Sequence, residues 1–123
     1  MPEIIVQALP GTLDSRDRAV IKRMLKKECP SRFSIAGRQL TGDSFTVVFP
    51  VYQDDSELSH DVIIRIYLHR DAERLTGAQD NSKMLTAALE AAVNVEDGRQ
   101  LVKLTRFGVM LFFGDIYWSE LSV

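Results

Sequence analysis

Apolar and polar positions along this chain divide it into two halves of similar plan. Residues 4–9 open with a β-like run, headed by Ile4, Ile5 and Val6 and closed by the turn pair Pro10-Gly11. The spacing then becomes helical at Val20, Ile21, Met24 and Leu25, behind a capping residue at Asp14 or Ser15, and Pro30 is expected to end that helix. Two extended runs follow at 33–40 and 45–52, with Thr41-Gly42-Asp43-Ser44 between them as a hairpin connection. In the second run Phe45, Val47, Phe49 and Val51 alternate with polar or outward positions, the pattern of a strand with one buried face. Residues 53–61 form a polar, acidic loop.

The second half repeats the plan. Residues 62–68 read as a dense β-branched strand. Thr76 and Gln79 have capping-box spacing, and a helix is expected through Met84, Leu85, Ala88, Leu89 and Ala92 to Val95, with Gly98 at its C-terminal cap. Its alanines (Ala87, Ala88, Ala91, Ala92) permit close approach to a sheet. A further strand at 100–107 precedes an apolar, aromatic tail at 109–118 with a turn at Gly114-Asp115. The order is β-α-β followed by β-α-β, with an extra hairpin and a C-terminal strand. Right-handed crossovers then put both helices on one face of a single mixed sheet, an α+β fold occupying 1–123 as one domain.

Composition narrows the classes. A chain of 123 residues, 46% apolar and 26% charged, is an ordinary globular protein and buries roughly two-thirds of its unfolded surface. The net charge of −2 gives no field that would gather nucleic acid or membrane. Arg16, Arg18, Lys22, Arg23, Lys26 and Lys27 make a basic helix face, but without interleaved aromatics it reads as a solvated surface. The first residues have neither a basic n-region nor a small-residue cleavage site, and no apolar stretch approaches a membrane span. The one cysteine, Cys29, fits a reducing compartment, so a cytoplasmic protein is expected. Asp54, Asp55, Glu57, His60 and Asp61 match neither a zinc spacing nor a calcium loop, and no metal or cofactor is expected.

Candidate chemistry begins at Pro2. If Met1 is removed, Pro2 becomes a chain-terminal secondary amine, able to act as a base or nucleophile as no internal proline can. Desolvation and nearby cations would both favour its neutral, basic form. With Met1 in place the same nitrogen is an amide without a basic lone pair.

Two classes share the doubled layout. One is the pool of ferredoxin-like interaction and assembly modules, for which the aromatic C-terminal strand would be the association surface. The other is the tautomerase superfamily, which the chain resembles at Met1-Pro2-Glu3-Ile4-Ile5-Val6 and at Ile66-Tyr67-Leu68-His69-Arg70 with Arg74 beyond. The second stretch is similar to a leucine-histidine-arginine run of cis-3-chloroacrylic acid dehalogenase, although the gap between the two arginines is one residue longer here. The resemblance implies a proline base acting on a small carboxylate substrate, and a trimer in which the C-terminal segment reaches a neighbour. It also implies that Arg70 and Arg74 hold the carboxylate in a planar fork that lysine cannot reproduce.

Arg38 and Arg106 are secondary anion-binding candidates, and Tyr117 a donor to a developing oxyanion. His69 alternates with Arg70, so the two do not face one pocket while the strand continues. The chain departs from the family pattern at Leu101-Val102-Lys103-Leu104-Thr105, where a hydratase-like tyrosine is absent. No C-terminal carboxylate lines up with the one that activates water; Asp115 and Glu120 are the nearest in sequence. Keto–enol tautomerisation is therefore the expected reaction, rather than hydrolytic dehalogenation.

Overall fold

Ile4 and Val6 are buried and alternate with partly exposed neighbours along β1 (Glu3–Ala8), so one face of this strand lies in the core. The computed structural model describes residues 2–8, 11–50, 61–94 and 105–114. After β1 come α1 (Ser15–Phe33), a 3-10 turn (Gly42–Ser44), β2 (Thr46–Val48), β3 (Val62–His69), the short α2 (Ala72–Thr76), α3 (Ala78–Val93) and β4 (Phe107–Gly114). The sheet order is β2-β1-β3-β4. β1 runs parallel to β2, β3 parallel to β4, and β1 antiparallel to β3 at the centre. Each parallel pair is linked by a helical crossover, as parallel pairing requires. The strands of each β-α-β unit are direct neighbours, whereas a ferredoxin-like sheet splits them with an intervening strand. The observed order excludes that alternative.

Alternate residues of the sheet meet the helices. Ile4 and Val6 of β1, Val62, Ile64, Ile66 and Leu68 of β3, and Phe107 of β4 pack in one cluster with Ile21, Leu25, Cys29 and Phe33 of α1 and Leu85 and Leu89 of α3. Cys29 is fully buried there, and burial pushes its thiol up from 9.0 to about 12. Below pH 9 folded and unfolded chains both keep the proton; above it the unfolded chain releases it first, so stability falls as pH climbs toward about 12. We expect Cys29 to be inert to Ellman's reagent in native protein at pH 8 and to react at once in guanidinium; rapid native reaction would contradict its place in the core.

α1 starts as its sequence indicates. Asp14 accepts the Asp17 backbone N–H at 2.7 Å while the Asp17 side chain accepts the Asp14 N–H at 3.3 Å. This donation from the Asp17 backbone holds the Asp14 carboxyl below its usual range. The end of α1 departs from expectation, because the helix passes through Pro30 to Phe33. Phe33 is fully buried, and the Pro30 carbonyl accepts both the backbone N–H (3.1 Å) and the hydroxyl (2.6 Å) of Ser34. Pro30 has no N–H for the Lys26 carbonyl. Gly42 packs against that carbonyl instead, so closely that a Cβ on Gly42 would stand 3.0 Å from the oxygen.

The hairpin expected over 33–52 does not form. Phe33 belongs to the helix, Ile35 and Arg38 exchange backbone hydrogen bonds (3.2 and 3.0 Å) across a tight turn with Gly37 at φ 83°, and β2 pairs with β1. Thr76 does not cap α3: its hydroxyl donates to the Ala72 carbonyl at 2.9 Å, and Gly77 occupies the cap without a side-chain bond. α3 runs to Val93, close to the expected end. The strand paired with β3 begins at Phe107, where the sequence pattern put a strand's end, so the presumed tail supplies β4. Gly98 and most of 100–107 lie outside the described residues.

Candidate functional site

Register fixes what meets at each end of the sheet. Glu3 pairs with both Thr46 and Tyr67, so the start of β1 coincides with the start of β2 and the last residues of β3. Pro2 stands at this end, buried, with its carbonyl accepting the Thr46 N–H at 3.1 Å. The segment that leaves α1 passes the same place. Pro2, Arg38, Gln39, Leu40, Thr41, Asp43 and Ser44 line a cavity of about 370 Å³, within the range of small-molecule sites.

The cavity wall is tied down by its backbone. The Leu40 N–H donates to the Ser34 hydroxyl (2.8 Å), the Thr41 N–H to the Ser44 hydroxyl (3.0 Å), and the Ser44 N–H to the Thr41 carbonyl (3.0 Å). Arg38 and Asp43 are both exposed. Neither has an ionic partner: among the described residues the ion pairs are Arg16–Asp17 and Arg32–Glu28. The cavity therefore carries one uncompensated cation and one uncompensated anion beside Pro2.

Arg74, which the resemblance puts on the substrate carboxylate beside Arg70, is held by backbone instead. It lies in α2, 4% exposed, with Nε donating to the Phe33 carbonyl (2.9 Å) and Nη1 to the His69 carbonyl (3.1 Å). It thereby joins the last residue of α1 to the last residue of β3. Burial is the main influence lowering its pKa; Asp71 opposes this and Arg38 adds to it. Arg70 is exposed just beyond β3, and neither Arg70 nor Arg74 lines this cavity. His69, half-buried, is the last residue of β3.

Arg106 is not brought to Pro2. It precedes Phe107, which pairs with Val62, and Val62 is five residues along β3 from Tyr67, roughly 16 Å at strand rise. At that far end the polar groups satisfy one another. Asn94 accepts the Thr105 N–H and donates to its carbonyl (both 2.8 Å), Asp61 accepts the Arg106 N–H (2.9 Å), and Glu90 accepts the Phe107 N–H (3.1 Å). Tyr117, Asp115, Trp118, Glu120 and the acidic residues 54–60 lie outside the described residues. Among those described, no group of His, Cys, Asp and Glu is placed to hold a metal ion, and no helix is long and apolar enough to cross a membrane.

The sheet face turned away from the helices carries exposed apolar side chains beside the buried Ile63. Val48, Met110 and Phe112 are exposed on it by 38%, 46% and 36%. Phe112 stacks on Tyr67 with ring centroids 4.9 Å apart, and the buried Gln7 Oε1 has no hydrogen-bond partner.

No family model and no curated protein sequence matches the chain. Solved structures do. A member of the cis-3-chloroacrylic acid dehalogenase family is 14% identical with a TM-score of 0.60, over 94% of this chain and 80% of its own. Leishmania major MIF2 is 17% identical with a TM-score of 0.50, over 93% of this chain and 89% of its own. At such identities the likeness is one of fold, and the fold is tautomerase-like.

Proposed function

We propose that this chain, with its tautomerase-like fold, is a keto–enol tautomerase of a small carboxylate substrate, with the Pro2 nitrogen as base once Met1 has been removed. The observation that carries this reading is that Pro2 and Arg38 line one cavity. A guanidinium there can hold the substrate carboxylate by two parallel N–H donations. Its charge also favours the neutral amine, the form that accepts a proton. Pro2 takes a proton from carbon or oxygen and returns it to the neighbouring atom, while Arg38 stabilises the enolate charge that forms between the two transfers. Arg70 is exposed at the same end of the sheet but does not line the cavity, and the reading gives it no contact with the substrate. Arg74 serves as a positioning residue, because its two backbone bonds fix the helix end from which the Arg38 turn departs. The test is intact mass of untagged protein followed by enol–keto exchange of phenylpyruvate. Loss of Met1 with exchange well above buffer supports the reading; retained Met1, or exchange at the buffer rate, overturns it and favours a non-enzymatic interaction module.

The same reading includes self-association, as a trimer on the family resemblance, with the exposed apolar part of the sheet face opposite the helices as the surface joined. Val48, Met110 and Phe112 supply its apolar area. We expect sedimentation to give an oligomer for the wild type and a folded monomer for Phe112→Glu, since a carboxylate in the middle of a dry interface is left without a partner. A wild-type monomer at tens of micromolar would remove this part of the reading.

A further inference from the structure

Arg38 and Asp43 carry opposite charge, line the same cavity, and do not pair. The backbone between them is tied down. Leu40 is tied to Ser34, Thr41 and Ser44 are tied to each other, and the Phe45 N–H closes on the Gly42 carbonyl at 3.3 Å. Gly42 is itself seated on the Lys26 carbonyl of α1. These bonds give the segment a fixed course past Pro2, and the two exposed side chains line the same cavity without forming an ion pair.

We infer that the cavity selects a bipolar ligand, a small molecule with one carboxylate for Arg38 and an ammonium group for Asp43, and that Asp43 is the residue that discriminates against dicarboxylates. The inference rests on the proposed function for the location of the site. A second carboxylate on the ligand would face the Asp43 carboxylate, and like charges repel where opposite charges attract. A plain monocarboxylate engages Arg38 and leaves Asp43 to water. Asp43 is the acidic residue in the cavity lining, and it is exposed and in no ion pair, so its carboxylate is open to a cationic ligand.

The test uses three inert ligands of similar length: 4-aminobutyrate, butyrate and glutarate. None has an activated proton, so binding is read by NMR titration of the full chain without turnover. This separates the inference from the tautomerase reading. Inactive protein that still ranks the ligands keeps the first and loses the second, and active protein without the ranking does the reverse. At low salt 4-aminobutyrate is expected to bind about fivefold more tightly than glutarate, the scale of solvent-exposed charge pairs. Asp43→Asn should bring that ratio to unity or below it, with Asp43→Ser as a second variant should asparagine disturb the turn. Arg38→Ala should weaken all three ligands. The inference is overturned if glutarate binds as well as 4-aminobutyrate, if no ligand binds, or if both Asp43 variants leave the ratio unchanged.

Discussion

Pro2→Ala is expected to slow enol–keto exchange of phenylpyruvate by about a hundredfold, the lower end of what a positioned general base contributes. The lower end applies because alanine at position 2 still permits removal of Met1 and still leaves an amine at the chain terminus. What disappears is the ring, which restricts the direction of the nitrogen lone pair and fills the buried start of β1. Pro2→Leu should act more severely, because a large second residue keeps Met1 in place and moves the amine one residue away. Both variants retain the carbonyl that accepts the Thr46 N–H, so their thermal unfolding should stay close to wild type. Loss of rate without loss of fold is the expected signature. Equal exchange rates for wild type and Pro2→Ala would remove the proline from the mechanism.

Arg74→Ala is expected to be strongly destabilising. The side chain is buried, and its two donations are to backbone carbonyls that end their own elements, Phe33 of α1 and His69 of β3. A bond to a charged group contributes about 1.5–3 kcal/mol, and the alanine variant loses two of them. Part of this is offset because the guanidinium no longer has to be desolvated, the same burial that lowers its pKa. A net loss of about 3 kcal/mol follows, which for a domain of this size lowers Tm by roughly 10 °C. Arg74→Lys should recover part of the loss, since an ammonium cannot present two donors in the same fork. Calorimetry on the three proteins checks the order; an Arg74→Ala domain as stable as wild type would mean that both carbonyls find other partners.

Much of the scaffold was legible because it obeys short periods. Ile4 and Val6 alternate, Ile21 and Leu25 recur at a helical interval, and the β-branched run from Val62 has few alternatives to a strand. The errors fall where local signals conflict with a distant partner. Phe33, Ile35 and Leu40 imitate a strand, but Phe33 is drawn into the core at the end of a helix that survives its proline. The last strand was displaced because 100–107 and 107–114 are both apolar, and only pairing with β3 distinguishes them.

The site divides along the same line. Pro2 was visible from its position alone. Arg38 was visible as a charged residue beside a glycine but could not be ranked above Arg106, because only strand register separates them by the length of the sheet. Arg74 lacked any local mark of burial, since its partner Phe33 lies 41 residues earlier. Asp43 read as an ordinary turn residue, which it is; what the pattern lacked was the knowledge that this turn borders a cavity.

The two β-α-β units meet antiparallel, so the two ends of the sheet are near-equivalents by topology, with Pro2 preceding one central strand and Asp61 the other. Their chemistry is opposite. At the Asp61 end, two carboxylates and an amide are spent on three consecutive backbone N–H groups, and what results is a fastening. At the Pro2 end, the Arg38 guanidinium and the Asp43 carboxylate line one cavity and, among the described residues, form no ion pair. One topology thus commits its polar groups to its own backbone at one end of the sheet and turns them to solvent at the other.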